Sequence, residues 1–503
     1  MAGMKSLAKD TALYGLSSIL GKLLNWLLVP LYVVKVNDFE FGEITQLYAW
    51  TGLLLVMLTY GLETGFFRFA NKNEASDPML VYSTCMTSLW TTTGAFLALI
   101  FLFLKPLAGG LGFTGHENYI SMLAVVVAMD VISSLPFAYL RYQKRPLRFA
   151  AIKLLFVFVN IGFNLFFLVA CPILWKSNPS LISWFYHPEQ SGVFYIIVAN
   201  LIGTALMLSA LFPELFRIKY RVDWPLLKSI LRYSFPLLIL GVAGIINQTA
   251  DKILFPMLIT DQYEAKSQLG IYGANFKFAV VMIMFIQAFR FAYEPFVFGK
   301  NRDKDNKTAY IQAMKYFIIL GLFIFLSVGL LIPFLPEIPV VRSHIKPEYF
   351  SGLAVVPIVM MAEFFFGIFF NLSFWYKLTD KTQWGAAFSV GGCVLTVVMN
   401  ILFVPRFGYM ACAWTAFTVY FLMMVTSFLA GQKYYPIRYE VKNALFYFVL
   451  ALGLYFTGML MPVSNTIILF VIRFILIIFY LLIVLRKDIP LSEIPFVNKL
   501  IKR

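Results

Sequence analysis

The sequence predicts an all-α polytopic membrane protein of about 14 transmembrane helices, laid out as two repeated six-helix lobes followed by two further helices. Three observations carry that expectation. Of 503 residues, 60% are hydrophobic and 13% charged, with a mean hydropathy of +0.80, a balance that no soluble core of this size reaches. Apolar segments long enough to cross about 30 Å of hydrocarbon succeed one another through loops that rarely exceed about twenty residues. Gly15 and Pro30 recur, 226 positions on, as Gly241 and Pro256. No soluble domain is hidden between the segments.

The segments run approximately 11–36, 44–68, 79–104, 119–141, 148–173, 192–216, 233–259, 268–293, 309–335, 352–376, 384–404, 408–431, 442–462 and 464–486. The first is long and belongs to the repeat, so it reads as a span and not as a cleaved leader. Pro146 marks a helix start before the fifth. Pro30, Pro136, Pro236 and Pro256, with Gly61, Gly65, Gly241 and Gly244, interrupt spans; membrane helices tolerate them, and the matched Pro30 and Pro256 favour a hinge.

The formal charge of +16 could suggest nucleic acid, but its placement argues for topology. Of the 41 Lys and Arg, 28 fall in one set of alternate loops and at the ends, 7 in the other set and 6 in spans; the rich side holds Lys5 and Lys9, the Arg141, Lys144, Arg145, Arg148 group, the stretch from Arg217 to Arg232, Lys300 to Lys315, and Lys499, Lys502, Arg503. By the positive-inside rule both termini are cytoplasmic. Cys85, Cys171, Cys393 and Cys412 fall in or beside spans without a CxxC pair and read as packing residues. His116, His187 and His344 occupy separate outer loops without metal-like spacing.

The repeat extends past the first helix of each half. At an offset of 236, Arg141 maps to Lys377, Arg145 to Lys381, Ala150-Ala151 to Ala386-Ala387, and Asn164 through Leu168 to Asn400 through Val404. Six spans per half keep the order parallel, with the halves related by an axis near the membrane normal. The expected organisation is an N-terminal lobe over 1–218, an amphipathic cytoplasmic linker over 219–232, a second lobe over 233–435, and two added helices with a tail over 436–503. In the linker, FRIKYRVDWPLLKSILRYS alternates basic residues with Trp224, Leu226, Leu227, Ile230 and Leu231, the pattern of an interfacial helix.

Repeated halves with ionisable side chains inside spans point to a transporter, since such groups normally face a bundle interior or watery cavity. The opening LAKDTALYGLSSILGKLLNWLLVPLY, YGLETGFFRFA, LRYSFPLLILGVAGIINQTADKILFP and LGIYGANFKFAVVMIMFIQAFRFAYEPF together resemble the polysaccharide-type flippases of the multidrug/oligosaccharidyl-lipid/polysaccharide exporter superfamily, over roughly residues 5 to 435. The resemblance rests on the order and extent of these stretches and not on catalytic signatures. It implies a V-shaped transporter in a bacterial cytoplasmic membrane that moves a lipid-linked oligosaccharide, usually on undecaprenyl diphosphate, from inner to outer leaflet for surface polysaccharide such as O-antigen lipopolysaccharide. Polysaccharide-assembly proteins are the implied partners.

A diphosphate head bearing sugars calls for cations and for uncharged donors at depth. Lys22, Lys252 and Lys277 lie well inside their segments, Arg68 and Arg290 toward cytoplasmic ends, and Asn25, Asn247, Gln248, Asn275 and Gln287 supply amides. Snorkelling is the competing reading for Lys153, Arg68 and Arg290, and Lys252 is also within its reach. Trp26, Trp50, Tyr272 and Tyr293 are stacking candidates among many aromatics that simply pack. Asp251, Glu363, Asp130 and Glu63 are the acids that could couple a proton or sodium ion to transport, with a fixed ion pair to Arg68 favoured for Glu63. Glu294 lies near the inner end. Asn247 and Asp251, at i and i+4, share one helix face. Arg473 is equally deep in the added helices, with lipid phosphate, a partner helix or a bundle acid open as its partner.

No cofactor and no nucleic acid are expected. Asp303-Lys304-Asp305 reads as a solvated lysine-rich loop, and the sequons at Asn247, Asn306 and Asn371 lie in spans or on the cytoplasmic side. Three rivals stay in view: a multidrug or cation antiporter of the same superfamily, which would favour an acid-dominated cavity; a flippase for the peptidoglycan precursor, which needs the same cations; and a membrane oligosaccharide polymerase or ligase. The last needs an outer catalytic constellation, and the long outer loops offer only His187 or His344 without an acid-base partner.

Overall fold

A chain in hydrocarbon must satisfy each backbone N–H and C=O within itself, and long apolar segments do so as helices. The computed structural model describes residues 20–21, 23–24, 26–71, 77–216, 219–300, 306–379 and 381–488. A short helix, α1 (Leu28–Lys35), precedes thirteen stretches long and apolar enough to cross a membrane. These are α2 (Asp38–Ala70), α3 (Pro78–Leu102), α4 (Glu117–Tyr142), α5 (Pro146–Ser177), α6 (Gly192–Ala210), α7 (Trp224–Leu258), α8 (Gln262–Phe291), α9 (Tyr310–Glu337), α10 (Pro347–Leu378), α11 (Gln383–Phe407), α12 (Tyr409–Tyr434), α13 (Val441–Leu460) and α14 (Thr466–Lys487). α1 is the end of the first expected span; residues 11–19 of that span, with Lys22 and Asn25, lie outside the described residues.

Local chemistry sets several boundaries. Asn37 and Glu40 form a reciprocal capping box at the start of α2, each backbone N–H donating to the other's side chain at 2.9 and 2.7 Å. Within α2 the chain turns at Tyr60 and Gly61, with φ of 33° and 72°, a conformation that glycine adopts without penalty. In α5 a π-helical turn over Phe166–Ala170 leads into Pro172, whose missing N–H cannot continue the α ladder. The seventh helix begins earlier than 233, because the Asp223 carboxylate accepts the Leu226 N–H at 2.9 Å and caps a helix that runs unbroken from Trp224 to Leu258.

The chain forms two compact units, Met1–Ala274 with Ala386–Thr415, and Asn275–Gly385 with Ala416–Arg503. In the first, α4 packs on α3, α6 on α4 and α5, and α7 along α2. Phe66, Tyr82, Met86, Val127, Leu135 and Ile230 form part of its core, with Cys85 as a small packing residue among them. The internal repeat appears here as the same bond made twice. Asn164 Nδ2 donates to the Asn160 carbonyl at 2.7 Å, and Asn400 Nδ2 donates to the Thr396 carbonyl at 2.8 Å.

In the second unit α9 packs against α10, α13 and α14. Arg473 finds its partners in helix ends: Nε donates to the Gly458 carbonyl and Nη1 to the Leu330 carbonyl, each at 3.0 Å, over the Phe334 ring. Asp488, just past α14, accepts from Lys315 and from the Tyr447 hydroxyl. Burial pushes its carboxyl up, but these bonds and the Lys315 and Lys487 charges outweigh it and hold the group below the usual carboxylate range.

Candidate functional site

Four of the sequence-selected residues come together on α7, against the first turns of α8 and the middle of α11. Asp251 is 9% exposed. Its Oδ2 accepts from the buried Tyr272 hydroxyl at 2.6 Å and from Lys252 Nζ at 2.8 Å, while Oδ1 accepts from the same ammonium at 3.1 Å. Adjacent helical residues point about 100° apart, so the long lysine stem must fold back to reach its neighbour's carboxylate. The ammonium also donates to the Gln248 carbonyl at 3.3 Å and lies 5.4 Å from the Tyr272 ring centroid. Withdrawing both charges from water is costly unless they stay paired and hydrogen-bonded, which holds the two side chains together.

Asn247 Nδ2 donates to the Ser389 carbonyl at 2.9 Å, and its Oδ1 accepts from Thr396 Oγ1 at 3.2 Å. Both ends of the amide therefore bind α11, and Asn247 links the Asp251 face to Thr396 and Asn400. The Asn400 Oδ1 is buried with no hydrogen-bond partner among the described residues. Gln248 is exposed, its Nε2 donating to the Gly244 carbonyl at 3.3 Å.

The other candidates lie apart from this cluster. Arg68 is exposed with its guanidinium 4.1 Å above the Tyr233 ring, and Tyr233 is about 27 Å along α7 from Asp251 at helical rise. Glu63 does form an ion pair, but with Arg141 Nη2 at 2.7 Å instead of Arg68. Asp130 on α4 shares a neighbourhood with Lys153, which sits 4.1 Å over the Phe137 ring and feels the charges of Asp130 and Glu63. Asn275, Lys277, Arg290 and Glu363 belong to the second compact unit. There Asn275 Nδ2 donates to the Tyr349 carbonyl at 2.8 Å, Arg290 lies 3.4 Å over the Phe370 ring, Lys277 is half-buried and Glu363 is buried.

Sequence reasoning missed one charged constellation. Glu43 and Lys266 are 3% and 2% exposed, with Nζ donating to Glu43 Oε1 at 2.9 Å and to the Gly112 carbonyl at 2.5 Å. The ammonium is 4.0 Å from the Phe113 ring centroid, and Ser267 donates to Asp38 beside it. Glycines permit the approach: a Cβ on Gly42 would lie 1.9 Å from the Lys266 carbonyl oxygen, and one on Gly270 1.8 Å from that of Asp38. The signal available in the sequence was the pair of glycines near each helix start.

Residues 7–292 match the family model described as polysaccharide biosynthesis protein. The chain belongs to the polysaccharide biosynthesis protein family. The polysaccharide-type resemblance read from the sequence thus holds for more than half of its length. The chain shares a multi-spanning fold with solved transporter structures. One described as the lipid II flippase MurJ, inward closed conformation, aligns with a TM-score of 0.74 at 12% identity, over 94% of this chain and 99% of that one. An inward-facing multidrug resistance MATE family transporter of the MOP superfamily aligns with a TM-score of 0.62 at 14% identity, over 84% and 94%. Its outward-facing counterpart gives 0.56 at 13% identity, over 85% and 95%. No curated protein matches the chain by sequence.

Proposed function

We propose that this family member is a flippase that carries a lipid-linked oligosaccharide, of undecaprenyl-diphosphate type, from the inner to the outer leaflet of a bacterial cytoplasmic membrane for surface polysaccharide such as O-antigen. The family membership over residues 7–292 is the observation that carries this reading. The cations and amides inside spans fit a diphosphate with attached sugars, and an oligosaccharide is too polar to cross about 30 Å of hydrocarbon unaided. Alternating access moves it, and a proton or sodium ion bound at Asp251 drives the cycle. Depletion of the protein in its host is the deciding experiment. Accumulation of an undecaprenyl-diphosphate oligosaccharide on the inner leaflet is the expected result; accumulation of the peptidoglycan precursor, whose flippase has a similar fold, would replace this reading with the second.

With both termini cytoplasmic, the charge asymmetry places the loop between α5 and α6 outside. Single cysteines replacing Gly3, Ser180 and Ser492 in a background without other reactive thiols are expected to label from inside, outside and inside respectively. Labelling of position 180 only after permeabilisation would reverse the topology. On the expected topology the Glu43–Lys266 and Asp38–Ser267 contacts lie at the outer ends of α2 and α8.

A further inference from the structure

The first turns of α7 are longer than a membrane crossing needs. Its 35 residues span about 52 Å at helical rise, against about 30 Å of hydrocarbon and 40–45 Å with the headgroup layers. From Tyr233 to Ala250 the helix carries no Asp, Glu, Lys or Arg, so the surplus falls at its start, over 224–232, at headgroup level. This stretch is firmly seated. Leu227, Ile230 and Ser234 are 8%, 0% and 0% exposed, and a Cβ on Gly65 of α2 would come within 2.8 Å of Ser234 Oγ. The strand-like lead-in is strapped to α3, where Ser83 Oγ donates to the Arg221 carbonyl at 2.9 Å and the Asp223 N–H donates to Thr84 Oγ1 at 3.3 Å.

Among the described residues, none covers the opposite face. Trp224, Lys228, Leu231, Arg232 and Phe235 recur at helical spacing along it, all exposed, with Trp224 at 73% and Phe235 at 62%. Lys219 and Arg221 lie exposed just upstream. Among the described residues none of these four cations stands in an ion pair, and the one acid in the stretch, Asp223, is committed to the helix cap. Lys228 and Arg232 are one turn apart, a spacing at which two cations can share one phosphate. Trp224 and Phe235 flank them as apolar anchors of the kind found at the water–lipid boundary.

We propose that this face is a binding surface for anionic glycerophospholipid headgroups, with Lys228 and Arg232 on the phosphate, Trp224 at headgroup level, and Leu231 and Phe235 toward the upper acyl carbons. Because α7 also carries Asn247, Asp251 and Lys252, lipid bound here fixes the inner end of the helix that bears the coupling cluster. The occupant is a bilayer phospholipid and not the transported diphosphate lipid; the surface would exist whatever the cargo.

The test uses the full chain in phosphatidylcholine nanodiscs doped with a photoactivatable phosphatidylglycerol, crosslinked sites being mapped by peptide mass spectrometry. Labelling is expected to concentrate on residues 224–235, to exceed that from photoactivatable phosphatidylcholine about 25-fold, and to fall about 25-fold in Lys228→Gln/Arg232→Gln, since each of the two cations near an anionic surface contributes on the order of a factor of five. The charge-retaining Lys228→Arg/Arg232→Lys pair should label as the parent does. High salt supplies the same test on the unaltered protein, because at about 1 M the screening length shrinks to about 3 Å. Equal labelling by the two lipids, or labelling indifferent to both neutralisation and salt, would overturn the proposal. Displacement by a polyprenyl diphosphate at a concentration where added phosphatidylglycerol does nothing would assign the surface to cargo and overturn it equally.

Discussion

Lys266→Ala is expected to lower the unfolding free energy by about 3–5 kcal/mol, the usual consequence of stripping one partner from a fully buried ion pair. The Glu43 carboxylate, 3% exposed, would lose the ammonium at 2.9 Å, and the Gly112 carbonyl would lose its donor. The Cβ-free contact between Gly42 and the Lys266 backbone holds the two helices close around the pair. Glu43→Leu/Lys266→Met removes both charges and keeps most of the volume, so it should recover most of the loss. Denaturant unfolding of the purified protein in one detergent, with both singles and the double, closes the cycle. A Lys266→Ala variant as stable as the parent, or a double no better than the single, would mean that the pair is solvated when the protein is free in solution. Gly270→Ala offers an independent check: its methyl would meet the Asp38 carbonyl oxygen at 1.8 Å, so it should loosen the same junction without altering any charge.

The sequence made the helices legible because hydrocarbon permits little else, and the matched Asn164 and Asn400, picked out by their spacing, each bond the carbonyl four residues back. It also singled out Asn247, Gln248, Asp251 and Lys252, which one apolar segment displays as obvious exceptions. Partners were harder to read. Glu63 sits five residues from Arg68 in sequence, yet it bonds Arg141 from α4, because helix packing decides which distant side chain arrives. Lys266 was invisible for a related reason: in the string DQYEAKSQ it looks like a solvated loop lysine, and only the packing of α8 on α2 buries it. Arg473 shows the opposite limit, a deep cation whose partners are backbone carbonyls at helix ends, groups that every residue carries and no sequence pattern marks.

Asp251→Asn is expected to make lipid flipping in vesicles insensitive to an imposed pH or sodium gradient while cargo still binds. The substitution keeps side-chain size and an oxygen to accept from Tyr272, which now donates at 2.6 Å, and removes only the charge change. Under the proposed coupling, an ion bound at Asp251 would compete with Lys252 for the carboxylate and release the ammonium, now 2.8 Å away, toward an anionic head. Linkage then requires reciprocity: whatever factor ion binding applies to cargo affinity, cargo applies to ion affinity, typically 5–150-fold for couplings of about 1–3 kcal/mol. Loss of that coupling should cut gradient-driven flipping at least about tenfold. Asparagine also leaves the Lys252 charge buried without its counter-ion, so instability could mimic the loss. Asp251→Asn/Lys252→Gln removes both charges and separates the two causes, since it should fold normally and still ignore the gradient. Unchanged gradient dependence in both variants would exclude Asp251 and move the coupling to Glu363, to Asp130, or to membrane potential acting on the anionic cargo itself.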